Sequence, residues 1–314
     1  MKLAKAMATV AGLTGLSRIA GFIRDILTAA VLGAGPIGDA FFVALKLPNF
    51  FRRVTAEGAF SVAFVPLYSE SIEKDGQAAA DQFASNAFMM MMSILSVVVV
   101  LAVMAMPYVL YAVAPGVIDD PIRFVLAVEL SRITFPYLLP TWLTALLGGV
   151  LNAIDRFAPF AFAPVLFNVC LIVALLCSDM FETAGHAMAY GVAAAGLVQL
   201  IWLWVAAKRA GVKIRLGLPK VDVKIKKVFK LMGPGVIGAG VMHINLFADM
   251  VIASFLAAGS ISYLYYAGRL KQVPSGVFGV AVGPALFPLL YKALAERDIQ
   301  EERNLVNWGG GGGC

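Results

Sequence analysis

Ala6-Met-Ala-Thr-Val-Ala-Gly-Leu-Thr-Gly-Leu-Ser-Arg-Ile-Ala-Gly-Phe-Ile-Arg-Asp-Ile-Leu-Thr-Ala-Ala-Val-Leu-Gly-Ala34 is the stretch whose reading decides the fold. About 20 apolar residues in a helix cross the hydrocarbon core of a bilayer, and this stretch is longer than that. It nevertheless carries Arg18, Arg24 and Asp25. An arginine near mid-membrane costs roughly 2.5–3.5 kcal/mol even on the lenient insertion scale, so such residues face a water-filled cavity and work there. A binding site for something anionic is the first expectation.

Composition supports the membrane reading. Of 314 residues, 61% are hydrophobic and 14% charged, and mean hydropathy is +0.85, far from the soluble norm. The chain reads as an all-α polytopic membrane protein. Its first helix is too long and too charged to be a cleaved signal peptide. The net charge of +6 is explained by basic cytoplasmic loops rather than nucleic-acid binding.

Eight spans are expected, at 7–33, 37–70, 82–114, 121–153, 159–181, 185–208, 225–258 and 260–294. The second holds Pro48 and Pro66 with Lys46, Arg52, Arg53 and Glu57 between or near them. Proline removes a helix hydrogen bond and kinks the segment, and a kinked, charged helix at membrane depth fits a cavity wall. Lys2 and Lys5 before the first helix, against an uncharged turn at Gly33–Gly38, place the amino terminus in the cytoplasm. Nine basic residues between Lys208 and Lys230, against Asp222, put that linker on the same side. A lipid-binding basic patch is the alternative reading of the linker.

The chain also repeats itself. At an offset of 224 residues, Asp25–Ile37 lies over Asp249–Ile261, with six of thirteen positions identical. Six helices separate the copies, so they run in the same direction, as in transporters built from parallel repeats. The expected organisation is a complete six-helix N-lobe (1–208), a basic linker (209–224) and the first two helices of a C-lobe (225–308). The Gly309–Gly313 run ending in Cys314 reads as an engineered tail (309–314).

Arg18, Arg24, Asp25, Asp39, Lys46, Arg52, Arg53, Glu57, Asp249, Arg269 and Lys271 are the charged residues of the expected spans. Arginine suits phosphate, because its planar fork donates paired hydrogen bonds and stays protonated when dehydrated. Asp25, Asp39 and Glu57 equally fit a structural network that neutralises the arginines. Arg18 and Arg24, six residues apart, point about 240° apart on a straight helix; a bend at Gly12, Gly15 or Gly21 would aim both at one point. Asp249 is the mate of Asp25 in the repeat, but no second carboxylate stands at metal-ligand spacing. His243, Cys170, Cys177 and Met89–Met92 read as packing residues. No Gly-rich phosphate loop, His-Glu-x-x-His or nucleophile elbow occurs, so nothing in the sequence speaks for an enzyme.

On three blocks the chain resembles the MurJ (MviN) family of lipid II flippases, in the multidrug/oligosaccharidyl-lipid/polysaccharide exporter superfamily. They are Ser17-Arg-Ile-Ala-Gly-Phe-Ile-Arg-Asp25, Gly38-Asp-Ala-Phe-Phe-Val-Ala-Leu-Lys-Leu-Pro-Asn-Phe-Phe-Arg-Arg53 and Ala56-Glu-Gly-Ala-Phe-Ser-Val-Ala-Phe-Val-Pro66. Asn152-Ala-Ile-Asp-Arg-Phe157, Ala161-Phe-Ala-Pro164 and Tyr265-Tyr-Ala-Gly-Arg-Leu270 add to it. The resemblance implies a protein of the bacterial inner membrane that moves lipid II, the undecaprenyl-pyrophosphate-linked peptidoglycan precursor, between leaflets by alternating access. It implies a basic central cavity in which Arg18, Arg24, Asp39, Arg52 and Arg269, with Asn49 and Glu57, meet the headgroup, while Asp25 and Arg53 belong to the charge network. Asp249 matches a position that contributes to a sodium site in some members, so a sodium ion or the membrane potential is the implied coupling source. No other cofactor is implied. Gly268 departs from relatives that have Asp before the matching arginine.

The rival readings are a cation-coupled drug exporter of the same superfamily, a membrane enzyme acting on a polyprenyl diphosphate, and a non-transporting lobe held by insertion machinery or a ribosome. The first predicts an apolar or acidic cavity, and the second an acidic metal motif in a loop. Besides lipid II, membrane lipids are the expected partners.

Overall fold

The computed structural model of the chain describes residues 2–270, and among these no strand occurs. Two units are distinguished, with the boundary between Ser262 and Tyr263. The first contains α1 (Lys2–Val31), α2 (Pro36–Phe51), a π-helical segment (Arg52–Phe60), α3 (Ser61–Asp75), α4 (Gln77–Met104), α5 (Met106–Val113), α6 (Pro121–Thr134), α7 (Leu138–Ala153), α8 (Phe157–Leu176), α9 (Ala184–Arg209) and α10 (Val223–Ser254). A further helix begins at residue 260. The expected span 260–294 beyond residue 270, the domain limit at 308 and the Gly-Cys tail lie outside the described residues, as does Lys271.

Among the described residues, four stretches are long and apolar enough to cross a membrane: Gln77–Met104, Pro121–Ala153, Phe157–Leu176 and Ala184–Arg209. Pro121–Ala153 is mostly buried within the bundle, whereas the other three leave apolar faces uncovered. On α4, for example, Val97, Val100, Leu101 and Met104 are all exposed. Such a surface would drive association in water and is the natural lipid-facing surface in a bilayer.

At two prolines the carbonyl left without its helical donor finds another partner. Pro48 lies inside α2 and cannot donate to the carbonyl of Ala44 four residues back; the buried Thr134 hydroxyl of α6 donates to it instead, at 3.0 Å. Pro107 likewise separates α4 from α5, and Arg132 Nε donates to the carbonyl of Val103 at 3.2 Å. The single kinked span expected at 37–70 is therefore α2, a nine-residue π-helical segment and α3. That segment holds Arg52 and Arg53 and crosses α10 closely: a methyl group added at Gly58 would lie 3.2 Å from Ala239 Cβ, and one at Gly235 3.1 Å from Ala59 Cβ. Small residues at both sides of a crossing are what let two helices approach in a membrane.

The internal repeat has a structural counterpart. α1 ends at Val31 and α2 begins at Pro36, while α10 ends at Ser254 and its successor begins at residue 260. Gly33 and Gly259, one in each turn, both have positive φ, at 66° and 96°, a conformation glycine adopts without a steric penalty.

The basic linker is pinned rather than loose. Val212 N–H reaches back to the carbonyl of Ala207, closing α9. The amide of Lys213 donates to Asp81 Oδ2 (3.1 Å) and that of Arg215 to Ser85 Oγ (2.9 Å), and Asp222 caps α10 through the amide of Ile225 (2.8 Å). Lys224 Nζ then pairs with Asp75 at 2.6 Å.

Candidate functional site

α1 is one continuous helix over Lys2–Val31 and carries both Arg18 and Arg24. Arg18 lies exposed and Arg24 buried, as the angle between them on a straight helix requires. Arg24 Nη2 and Nε donate to Asp25 Oδ1 (2.6 and 3.1 Å), and Nη1 donates to Asn168 Oδ1 on α8 (2.8 Å). Asn168 Nδ2 donates in turn to the carbonyl of Ser17 (3.0 Å). Gly21 makes room, since a methyl group there would meet Asn168 at 3.6 Å. A buried guanidinium thus has a carboxylate and an amide oxygen, which offsets its desolvation. Asn168 was detectable as a lone amide within the apolar run of α8, and the sequence reading passed over it.

Asp39 sits in the first turn of α2 and is 1% exposed. Its Oδ2 accepts from the amide of Gly259 (2.7 Å), and its Oδ1 from the amide and hydroxyl of Ser262 (2.8 and 2.7 Å). The carboxylate therefore covers the amino-terminal turn of the helix that begins at residue 260, where unpaired amides and the helix dipole favour an anion. Arg123 Nη1 stands 3.6 Å from Asp39 Oδ2, and Arg123 Nη2 donates to the carbonyls of Gly116 and Ser254 (3.3 Å each). Ser254 Oγ accepts from the amide of Gly116 at 3.0 Å. Together these bonds latch the turn 254–262 to α2 and to the loop before α6. Gly38 and Gly116 are needed there: an added Cβ would lie 2.6 Å from Ser262 Oγ and 2.5 Å from the Ser254 backbone, respectively. The sequence reading missed Arg123 as a site residue, because it counted only as a loop charge.

Arg52 lies in the wall of a cavity of about 370 Å³, lined also by Thr14, Ser17, Tyr137, Thr141, Thr144, Asn152, Phe157, Phe160 and Gln199. The cavity lies between α1, α7, α8 and α9. Beside it, Trp142 Nε1 donates to Thr55 Oγ1 (3.0 Å) and fixes the π-helical segment against α7. Asn49 is half-buried and Arg53 exposed; neither lines this cavity. The side chain of Glu57 lies outside the described residues. Arg269 belongs to the second unit, where its Nε and Nη2 donate to the hydroxyl of Tyr265 (3.2 Å each), with the guanidinium 5.2 Å from the ring centre. Within the first unit, Arg24 is joined to Asp25 and Asn168, Asp39 stands with Arg123, and Arg52 lies at the cavity.

Asp249 is exposed on α10, and its carboxylate exerts a Coulomb attraction on Lys46. Among the described residues no group of three or more His, Cys, Asp or Glu gathers.

Long apolar helices with buried ion pairs and a cavity that holds Arg52 inside the bundle define a polytopic helical membrane protein. Comparison with known proteins makes this specific. The family model described as "Lipid II flippase MurJ" matches residues 28–310, so the chain belongs to the MurJ family. It is 40% identical over 312 residues to "Probable lipid II flippase MurJ" of Rhizobium meliloti (strain 1021), covering 98% of this chain and 58% of the relative. It is 36% identical over 314 residues to "Lipid II flippase MurJ" of Burkholderia cenocepacia, covering 98% and 61%. The chain therefore spans about three-fifths of the length of these relatives. Among solved structures, "Lipid II flippase MurJ, inward closed conformation" superimposes with a TM-score of 0.75 at 29% identity, over 92% of this chain and 59% of that one. An inward-facing multidrug resistance transporter of the MATE family, in the MOP superfamily, gives 0.65 at 14% identity over 98% and 69%, a likeness of fold alone.

Proposed function

We propose that the chain acts in moving lipid II from the inner to the outer leaflet of the cytoplasmic membrane by alternating access. The amino terminus and the linker 209–224 face the cytoplasm, residues 1–208 form one lobe, and residues from 225 onward begin the second. The observation that carries this reading is the latch at Asp39. It joins the first turn of α2 to residues 259 and 262, beyond α10, without a covalent bond, by hydrogen bonds to one buried carboxylate. Such a contact can form and release as the lobes rock.

Arg52 supplies the charge that the substrate requires. Among the described residues that line the cavity it is the one that carries a charge. The rest of the described lining is mostly apolar, so it is the guanidinium that favours an anionic substrate. Arg18, Arg24, Asn49 and Arg269, with Glu57, complete the headgroup site as the lobes close, and Asp25 and Arg53 belong to the charge network around them. The membrane potential is a sufficient source for resetting the cycle, because one charge crossing 100 mV carries about 2.3 kcal/mol.

Native mass spectrometry of the purified chain tests this. The chain should retain lipid II and undecaprenyl pyrophosphate in preference to undecaprenyl phosphate. Arg52→Gln should weaken both retained species by about ten-fold or more, the loss of a charge-assisted hydrogen bond. Equal retention of all three lipids would overturn the pyrophosphate assignment.

A further inference from the structure

The linker after α9 combines two kinds of side chain that a plain cytoplasmic loop does not need together. From Lys208 to Lys224 it carries six basic residues against one acid, Asp222. That acid is turned to the protein: its Oδ1 accepts from the amide of Ile225 (2.8 Å) and its Oδ2 from Asn86 Nδ2 (3.2 Å). Lys213, Arg215 and Lys220 are exposed. Among them stand three large apolar side chains that are exposed as well, Leu216 at 65%, Leu218 at 88% and Val221. Apolar surface held in water is unfavourable in proportion to its area, and basic and apolar side chains side by side are what hold a segment in a membrane interface.

The tethers of the linker set its depth. The amide of Lys213 donates to Asp81 and that of Arg215 to Ser85, and Asp222 accepts from Asn86, all three partners on the first turns of α4. From Ala87 to Met104, α4 carries no charged or amide side chain. At a rise of 1.5 Å per residue that run spans about 27 Å, close to the thickness of the hydrocarbon core. The three tethers lie just before it, so the linker is level with the lipid headgroups. α9 arrives at the same level, its apolar residues giving way to Lys208 and Arg209 in its last turn. At that depth cations meet lipid phosphates and leucines reach acyl chains. A nucleic acid would engage the cations and leave the leucines in water.

We propose that residues 213–221 are a peripheral strap docked on an anionic bilayer surface, with Lys213, Arg215 and Lys220 against lipid phosphates and Leu216 and Leu218 inserted among the acyl chains. The tethers to α4 hold the strap where both contacts form at once.

The test places a nitroxide at Leu218→Cys in the purified chain, in a background of Cys170→Ala, Cys177→Ala and Cys314→Ala, reconstituted in vesicles of phosphatidylcholine alone or in equal parts with phosphatidylglycerol. Collision with oxygen reports acyl surroundings, and collision with a nickel chelate reports water. In the mixed vesicles oxygen should reach the label and the chelate should not, whereas in phosphatidylcholine alone the label should stand in water. Lys213→Gln with Arg215→Gln and Lys220→Gln should lower the docked fraction in the mixed vesicles about five-fold or more, since one basic residue near an anionic surface is worth about that factor. High salt should act in the same direction by screening. The three replaced side chains are exposed, so the melting temperature should not move. A label that stands in water in both kinds of vesicle would overturn the strap and assign the cations to a soluble partner. Equal shielding in both, untouched by the glutamine variant, would overturn it too, because insertion would then owe nothing to lipid charge.

Discussion

Asp39 shows how much one carboxylate can hold in an apolar bundle. Three donors converge on it from residues more than 200 positions away, with Arg123 alongside. Asp39→Asn keeps the size but turns an amide N–H₂ toward those donors and leaves Arg123 with Asp120, also at 3.6 Å, as its remaining counter-charge. The expected cost is on the order of 3 kcal/mol, read as a lower melting temperature. The amides of Gly259 and Ser262 should also exchange hydrogen at least ten-fold faster, whereas unchanged protection would show that the latch rests elsewhere. In the sequence Asp39 stood out as a charge at membrane depth, and so did Arg24. What each touches was not legible, because no periodicity within α2 or α1 records the register of residues 259–262 or of Asn168 against it.

At the scale of elements, one proline was legible as a kink and its consequences were not. Pro48 announced a kink and Pro107, within the span expected at 82–114, was passed over; the donors that serve the freed carbonyls, Thr134 and Arg132, lie on a helix that only the packing brings near. Thr134→Val should therefore cost about 1–3 kcal/mol by orphaning the buried carbonyl of Ala44, measured by thermal unfolding. Arg132→Leu, at an exposed position, should cost less. The π-helical form of 52–60 had no signal beyond an unusual density of charge. The junction of α3 with α10 lies outside the apolar spans and titrates. Lys224 beside Asp75 holds that carboxyl below the usual range, and Lys74 does the same for Glu70. A carboxylate with a depressed pKa stabilises the fold above its unfolded pKa, and this is lost as the pH falls through the folded value. The melting difference between the parent and Lys224→Met should accordingly be constant from neutral pH down to the ordinary carboxylate range and vanish below it. A difference that persists in acid would assign Lys224 another role.

For the molecule as a whole, hydropathy made the all-helical membrane class legible, and the blocks around Arg24 and Arg52 made the family so, because both are local in the chain. The grouping of the charges was not legible, since it depends on which helix faces which. The central claim is that the arginines recognise the pyrophosphate of lipid II while it crosses the membrane. The direct measurement is lipid II translocation in cells depleted of their own flippase and supplied with this sequence extended to the length of its relatives. The parent should restore translocation, and Arg24→Ala and Arg269→Ala should each abolish it while still reaching the membrane. Near-normal translocation by both variants would contradict the account.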